Sequence, residues 1–381
     1  MATSLMCKTL GAACLGLSMA CASSIAFAIE DVIDTPSRPT ELAPQNLLTD
    51  VVMAGDRFVA VGERGHIIYS DDQGQSWTQA EVPVSVTLTG LDFSTPDHGW
   101  AVGHSGVVLH SEDAGATWEI QMTGVHAAEL AIASQEDAIA EMEQRVEEAP
   151  EDEKGDLEWA LDDMYFSLEN MQADLDIGPV NPFLDVWFGD DNGGFVLGAY
   201  GTIFHTKDGG ESWQDWSPRL DNPQKFHLNA IAQVAGGAMV IVGEAGQIHV
   251  SVDGGDTWQR RESPYPGSLF GVIGTGRVNE MLAFGLRGTL MFSSDLGKSW
   301  SMISTGSTST LNGGEAEDSR IVLVGNGGTV LVSGNGGETF REYVRPDRQG
   351  LMSVVPASGT DLLVVGEGGA TLTDAQGKNL Q

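Results

Sequence analysis

The chain has 381 residues, 41% of them apolar, and 54 Asp plus Glu against 19 Lys plus Arg, for a formal net charge of −35. So acidic a surface repels phosphate backbones and anionic headgroups, which argues against nucleic-acid and membrane-surface binding. The three cysteines, Cys7, Cys14 and Cys21, all fall near the start, so no disulfide framework holds the rest, and 49 glycines point to turns rather than helices.

Residues 1–28 read as a secretory signal peptide. Lys8 supplies the positive region, residues 9–20 are apolar, and Ala26-Phe27-Ala28 forms a small-residue cleavage site. Ser18 stands where a lipoprotein signal puts Leu, which disfavours lipidation at Cys21. The expected location is periplasmic, with cleavage after Ala28. No later run approaches the length of a membrane span. Residues 29–44 are polar and carry prolines, with Ile29, Val32 and Ile33 as apolar points. Because the last repeat runs out of chain, this segment is expected to supply a closing outer strand beside residues 370–375, sparing the ring an open edge.

From residue 45 the chain repeats itself. An apolar strand, a Gly-x-x-Gly pair and a second apolar strand lead into the eight residues 70–77, Ser-Asp-Asp-Gln-Gly-Gln-Ser-Trp, and that box returns at 111–118, 206–213, 251–258, 293–300 and 333–340. Its pattern is Ser/Thr-x-Asp-x-Gly-x-Ser/Thr-Trp. The Asp accepts backbone N–H bonds across a tight turn, the Gly takes a positive φ, and the Trp packs over the turn as the next strand starts. The structural residues of the five full boxes are Asp72 and Trp77, Asp113 and Trp118, Asp208 and Trp213, Asp253 and Trp258, and Asp295 and Trp300, while the sixth has Asn335 and Phe340. The glycine pairs number seven: Gly62/Gly65, Gly103/Gly106, Gly198/Gly201, Gly243/Gly246, Gly285/Gly288, Gly325/Gly328 and Gly366/Gly369. A spacing of roughly 40–45 residues fits propeller blades of four strands. The fold class is therefore all-β, a seven-bladed β-propeller. In blade 1 the second, third and fourth strands are expected at 58–62, 66–70 and 77–82.

Blades 1 and 2 with the closing segment occupy 29–124, and blades 3–7 occupy 179–381. Between them, residues 125–178 carry a different pattern. Ile132, Ile139 and Val146 recur at sevens, and Leu157, Leu161, Met164, Leu168, Met171 and Leu175 step by four and three. Those are heptad seams, predicting an antiparallel α-helical hairpin. The insert bears seventeen acidic side chains against Arg145 and Lys154. Trp159, Tyr165 and Phe166 lie off the seam, either to pack on the propeller or to meet a partner.

In a propeller, the turns between second and third strands share a face with the links from blade to blade. The glycine-pair turns and the insert should gather there, with the boxes opposite. The candidate partner-binding residues on that face are Glu63, Arg64, His104, Tyr200, Glu244, Arg287, Asn326 and Glu367, joined by Trp159, Tyr165 and Phe166 of the insert. Their mixed chemistry suits an irregular protein surface better than a repeated small ligand.

No catalytic motif emerges: G-x-S-x-G and HExxH are missing, as is a dinucleotide fingerprint. The eight His show no i, i+4 pair on a helix and have no Cys to join them, so no metal or other cofactor is expected. Paired carboxylates stay open as a possibility in so acidic a chain.

The boxes resemble the Asp-box, or bacterial neuraminidase repeat. Sialidases of that type also carry an Arg-Ile-Pro signature, which this chain does not have. Val61-Gly62-Glu63-Arg64-Gly65-His66-Ile67-Ile68-Tyr69-Ser70 leading into the first box, and residues 242–258, more closely resemble the Ycf48-like photosystem II assembly and stability factors. That resemblance implies seven blades, no enzymatic activity and help in assembling a membrane protein complex. Photosynthetic members carry an arginine-rich patch, where this chain is acidic and has the extra hairpin, which points to a non-photosynthetic branch. Relatives in non-photosynthetic bacteria accompany resistance-nodulation-division-type exporters, which makes such an exporter the partner the resemblance implies. The alternative reading is a carbohydrate-active hydrolase or glycan-binding lectin of the Asp-box type.

Overall fold

The computed structural model describes residues 31–178 and 181–380; the expected signal peptide lies outside them. Among the described residues from Val32 onward, one unit of seven antiparallel sheets forms, six of four strands and one of three, each laid out in chain order. The first strands are Leu48–Ala54, Leu88–Phe93, Phe183–Phe188, Leu228–Gln233, Leu269–Gly274, Leu311–Glu317 and Leu351–Pro356. Each contacts the first strand of the next sheet, and the seventh contacts that of the first. The seven thus ring a central channel, and the expected propeller is what forms.

Second strands such as Phe58-Val59-Ala60-Val61 are buried throughout, because each is sandwiched between neighbouring blades. They read as unbroken apolar runs, as strands covered on both faces do. Fourth strands are shorter than expected. In blade 1 only Thr78–Gln79 pairs, not 77–82, because Val82, Val84 and Val86 turn inward to fill the core between blades 1 and 2.

Ring closure also departs from expectation. Among the described residues, no N-terminal strand pairs with the third strand of blade 7, Gly369–Thr373. The C-terminal tail folds back there instead: Thr373 bridges Asn379, and Leu380 N–H donates to Leu372 C=O at 3.0 Å. The N-terminal segment lies along blade 1, where Ser37 N–H donates to Val82 C=O and Thr40 N–H to Gln79 Oε1. Ala43 then plugs an apolar cluster shared by blades 1 and 7, with Leu48, Val51, Phe58, Leu363 and Val365. Buried apolar area can thus close the seam without a donated strand.

The insert forms two helices, α1 (Gly124–Glu148) and α2 (Glu151–Ile177). Thr123 caps α1 by accepting from His126 N–H, and Pro150 opens α2. Ala127, Leu130 and Ala131 root α1 in the core between blades 2 and 3, beside Met122, Phe183 and Phe204. Ile139 and Val146 continue the seam against α2, where no residue is fully buried. Gly124 and Asn181 both approach Gly106, so the insert leaves and rejoins the propeller at one point.

Candidate partner-binding face

The turns joining second and third strands share one geometry. In blade 1, Arg64 (φ 58°) and Gly65 (φ 67°) are both left-handed, and His66 N–H donates to Glu63 C=O at 3.0 Å. That is the two-residue hairpin turn whose twist matches its strands. Gly62 is required for a different reason, since a Cβ there would stand 2.1 Å from Leu47 O. Ser105, Tyr200, Ala245 and Arg287 repeat the left-handed conformation of Arg64, each without being glycine. An L-residue there costs roughly 1–2 kcal/mol.

The structure sorts the sequence-derived residues on this face. Glu244 and Glu367 turn back on their own blades, accepting from His227 N–H at 3.2 Å and Gly350 N–H at 2.8 Å. Asn326 accepts from the Asn312 side chain. Tyr200 is 58% exposed, its ring edge-on to His227 and its N–H donating to His227 Nδ1. Arg64, His104 and Arg287 are exposed with no side-chain hydrogen bond or ion pair among the described residues, and Glu63 is half-buried. On α2, Trp159 is 77% and Phe166 66% exposed, on one face two turns apart. Tyr165 bonds Glu143 across the hairpin. Neither Trp159 nor Phe166 packs on the propeller; both face solvent.

On the opposite face, the five boxes with Asp close in the same way, and the sixth differs only in the bond between the Asn335 amide and the Thr339 hydroxyl. In the first, Ser70 Oγ donates to Asp72 Oδ1 (2.8 Å) and accepts from Gly74 N–H (2.8 Å), while Ser76 donates its N–H to Oδ1 and its hydroxyl to Oδ2. The Ser76 hydroxyl, its N–H and the Ser70 hydroxyl hold the Asp72 carboxyl down at about 2. Trp118, Trp213 and Trp258 are buried over these turns, each edge-to-face with a Phe, namely Phe93, Phe188 and Phe195. The boxes are structural clasps.

Sequence reasoning missed two groups. The first lines the channel. Asp50 Oδ2 accepts from Leu91 N–H (3.0 Å), Asp92 Oδ2 from Phe188 N–H (2.7 Å) and Asp185 Oδ2 from Ile231 N–H (2.8 Å). Each carboxylate thus caps the open edge of the next blade's first strand. Thr49, Thr89, Asn229 and Asn312 tie neighbouring strands to one another through carbonyls. Burial pushes Asp50 up to about 6 against the pull of its hydrogen bonds, and Asp92 to about 7, with the charge of Asp50 adding to the rise. Burial raises Asp185 well above the usual range. The second group gathers His98, His110 and Glu112 in blade 2, two of the histidines that looked scattered.

A family model described as photosynthesis system II assembly factor YCF48 matches residues 69–136 and 166–319, more than half of the chain. The chain belongs to the Ycf48 family. The stretch passed over, 137–165, lies within the two helices. The photosystem II assembly lipoprotein Ycf48 of Synechococcus sp. (strain CC9902) is 32% identical over 185 residues, covering 46% of this chain and 53% of the relative. The chloroplastic photosystem II stability/assembly factor HCF136 of Oryza sativa subsp. japonica is 29% identical over 132 residues, covering 33% and 31%. The chain thus spans about half the length, or less, of the curated relatives it matches. Among solved structures, YCF48 bound to D1 peptide superposes with a TM-score of 0.59 at 15% identity, covering 87% of this chain and 94% of the other. YCF48 from Cyanidioschyzon merolae gives 0.58 at 15%, covering 88% and 97%. The WD40 β-propeller domain of Doa1 gives 0.57 at 11%, covering 89% and 94%. At such identities the likeness is of fold. The Ycf48 relatives are named as assembly factors, which makes a non-catalytic propeller of that kind the coarse functional reading.

Proposed function

We propose that this Ycf48-family propeller is a periplasmic assembly factor. Its glycine-pair face and acidic hairpin dock on a membrane protein complex, of which a resistance-nodulation-division-type exporter is the candidate the family resemblance suggests. One observation carries the docking face: Arg64, Tyr200 and Arg287 hold large exposed side chains on left-handed backbone that glycine would occupy more cheaply. Strain kept at an exposed position points to a use for the side chain. A solved Ycf48 carries a D1 peptide, which supports a membrane-protein partner for this chain. Trp159 and Phe166, set among Glu158, Asp162, Asp163 and Glu169, suit a partner surface that is apolar with a basic rim. The export signal at 1–28 supports the periplasmic side.

The test is site-specific photo-crosslinking in cells, with the crosslinker at residue 64, 159 or, as the opposite-face control, 254. Crosslinks to integral membrane proteins from 64 and 159 but not from 254 are expected. Adducts confined to 254, or to soluble proteins, overturn the reading. Replacing Arg64, Tyr200 and Arg287 together by Gly separates docking from folding. The turns relax, so thermal stability holds or rises, while capture of the crosslinked membrane protein falls by roughly 10-fold or more, the loss of two or three side-chain anchors.

A further inference from the structure

The face of blade 2 turned toward blade 3 carries a cluster that docking does not use. Antiparallel pairing puts Gly99 opposite Ser111 and Trp100 opposite His110, so one step further His98 comes opposite Glu112. His110 is two residues before Glu112 and projects to the same side of the sheet. One donor atom from each of His98, His110 and Glu112 consequently lies within 4.8 Å of the other two. We propose that these three side chains bind a divalent cation of the zinc class, with water completing the coordination.

Several features support a bound cation over a plain ring stack. His110 is stacked between His98 (5.7 Å between centroids) and Trp100 (4.7 Å), and its Nε2 is buried with no hydrogen-bond partner. An apolar ring would fill that slot without the cost of a desolvated nitrogen. The surroundings are negative: Glu119 is paired with His110 across the strands, and Asp191, held by Ser94 Oγ at 2.7 Å, reaches in from blade 3. The other blades serve as an internal comparison. His205 occupies the strand position of His110, but Lys207 stands where Glu112 does, and in blade 4 the two places are held by Val250 and Val252.

Two imidazoles with one carboxylate suit Zn²⁺, Co²⁺ or Ni²⁺ rather than Mg²⁺ or Ca²⁺, which prefer all-oxygen shells. Tetrahedral bonds of about 2.0–2.2 Å bring ligand atoms to roughly 3.5 Å apart, so the cluster tightens by about 1 Å on binding. Glu112 is exposed at the start of its turn and free to move inward. His98 is placed by its N–H bond to Thr95 Oγ1.

The experiment titrates the full chain with Zn²⁺ by calorimetry in excess Mg²⁺, which saturates unspecific sites on so acidic a surface. Co²⁺ absorption then reports nitrogen ligation. One tight Zn²⁺ per chain is expected, with affinity at least about 10-fold lower in Glu112→Gln and lower again in His98→Ala. Both variants touch accessible side chains, and their metal-free unfolding temperature should match that of the parent. An unchanged Zn²⁺ affinity in folded His98→Ala, or no saturable binding above the Mg²⁺ background, overturns the site.

Discussion

Aspartates do opposite work at the two ends of this molecule's architecture. Those of the boxes sit at the outer turns, largely in water, and are surrounded by donors. The Ser76 hydroxyl, Ser76 N–H and Ser70 hydroxyl hold Asp72 at about 2, and Thr257 with Ser251 does the same for Asp253. Those of the channel also accept backbone N–H bonds, yet burial raises them, to about 6 for Asp50 and, with the charge of Asp50 added, to about 7 for Asp92. Hydrogen bonding wins where solvent remains; desolvation wins where it is removed. The boxes therefore stabilise the fold as anions. The channel residues act as acceptors that cap strand edges, and their charge is a cost.

The largest test removes a clasp from its buried side. Ser251 is 1% exposed; its Oγ donates to Asp253 Oδ1 and accepts from Gly255 N–H at 2.8 Å. Ser251→Ala leaves a buried N–H unpaired and should cost about 1–3 kcal/mol in denaturant unfolding. A loss below about 0.5 kcal/mol would mean that the turn is held by packing of Trp258 alone.

The next test reverses the sign. The channel carboxylates have folded values above the unfolded 3.8, so their contribution is full below that value and lost as pH rises through about 6 to 7. The box carboxylates have folded values below it, so theirs is present above 3.8 and lost as pH falls toward about 2. Stability should peak near pH 4 and decline on both sides. Asp92→Asn keeps an acceptor for Phe188 N–H while removing the charge. It should raise stability at pH 8 by about 1–2 kcal/mol, with the gain gone by pH 4. Thermal melts across that range read both limbs. An alkaline limb unchanged in the variant would sink the account of the channel.

The same contrast explains what could be read in advance. A box is eight residues long, and every bond in it spans four or fewer, so its chemistry is written in order along the chain. The glycine pairs and the heptads of the hairpin are equally local. The carboxylate of Asp92 acquires its meaning from Phe188, 96 residues away across a blade boundary. The His98–Glu112 pairing depends on a strand register that a run of apolar residues does not fix. The tail that completes blade 7 was hidden for another reason. Asp374 stands one place early for the box pattern, yet it accepts from Gln376 and Lys378 N–H to turn the chain back.

The smallest effect is the most discriminating. In the sixth box Asn335 replaces Asp; its Oδ1 still accepts from Thr339 N–H at 3.1 Å, and its Nδ2 donates to Thr339 Oγ1 at 2.9 Å. In the other boxes that hydroxyl donates to the carboxylate instead, as Thr257 Oγ1 does to Asp253 Oδ2. A hydroxyl can serve either role by rotating its proton. Asn335→Asp should therefore leave neutral-pH stability within about 0.5 kcal/mol of the parent. What it adds is a titrating group in a site that lowers pKa, so the variant should lose more stability than the parent between pH 4 and pH 2. Identical acid limbs would show that the boxes bind their aspartates as hydrogen-bond acceptors alone, with the charge contributing nothing.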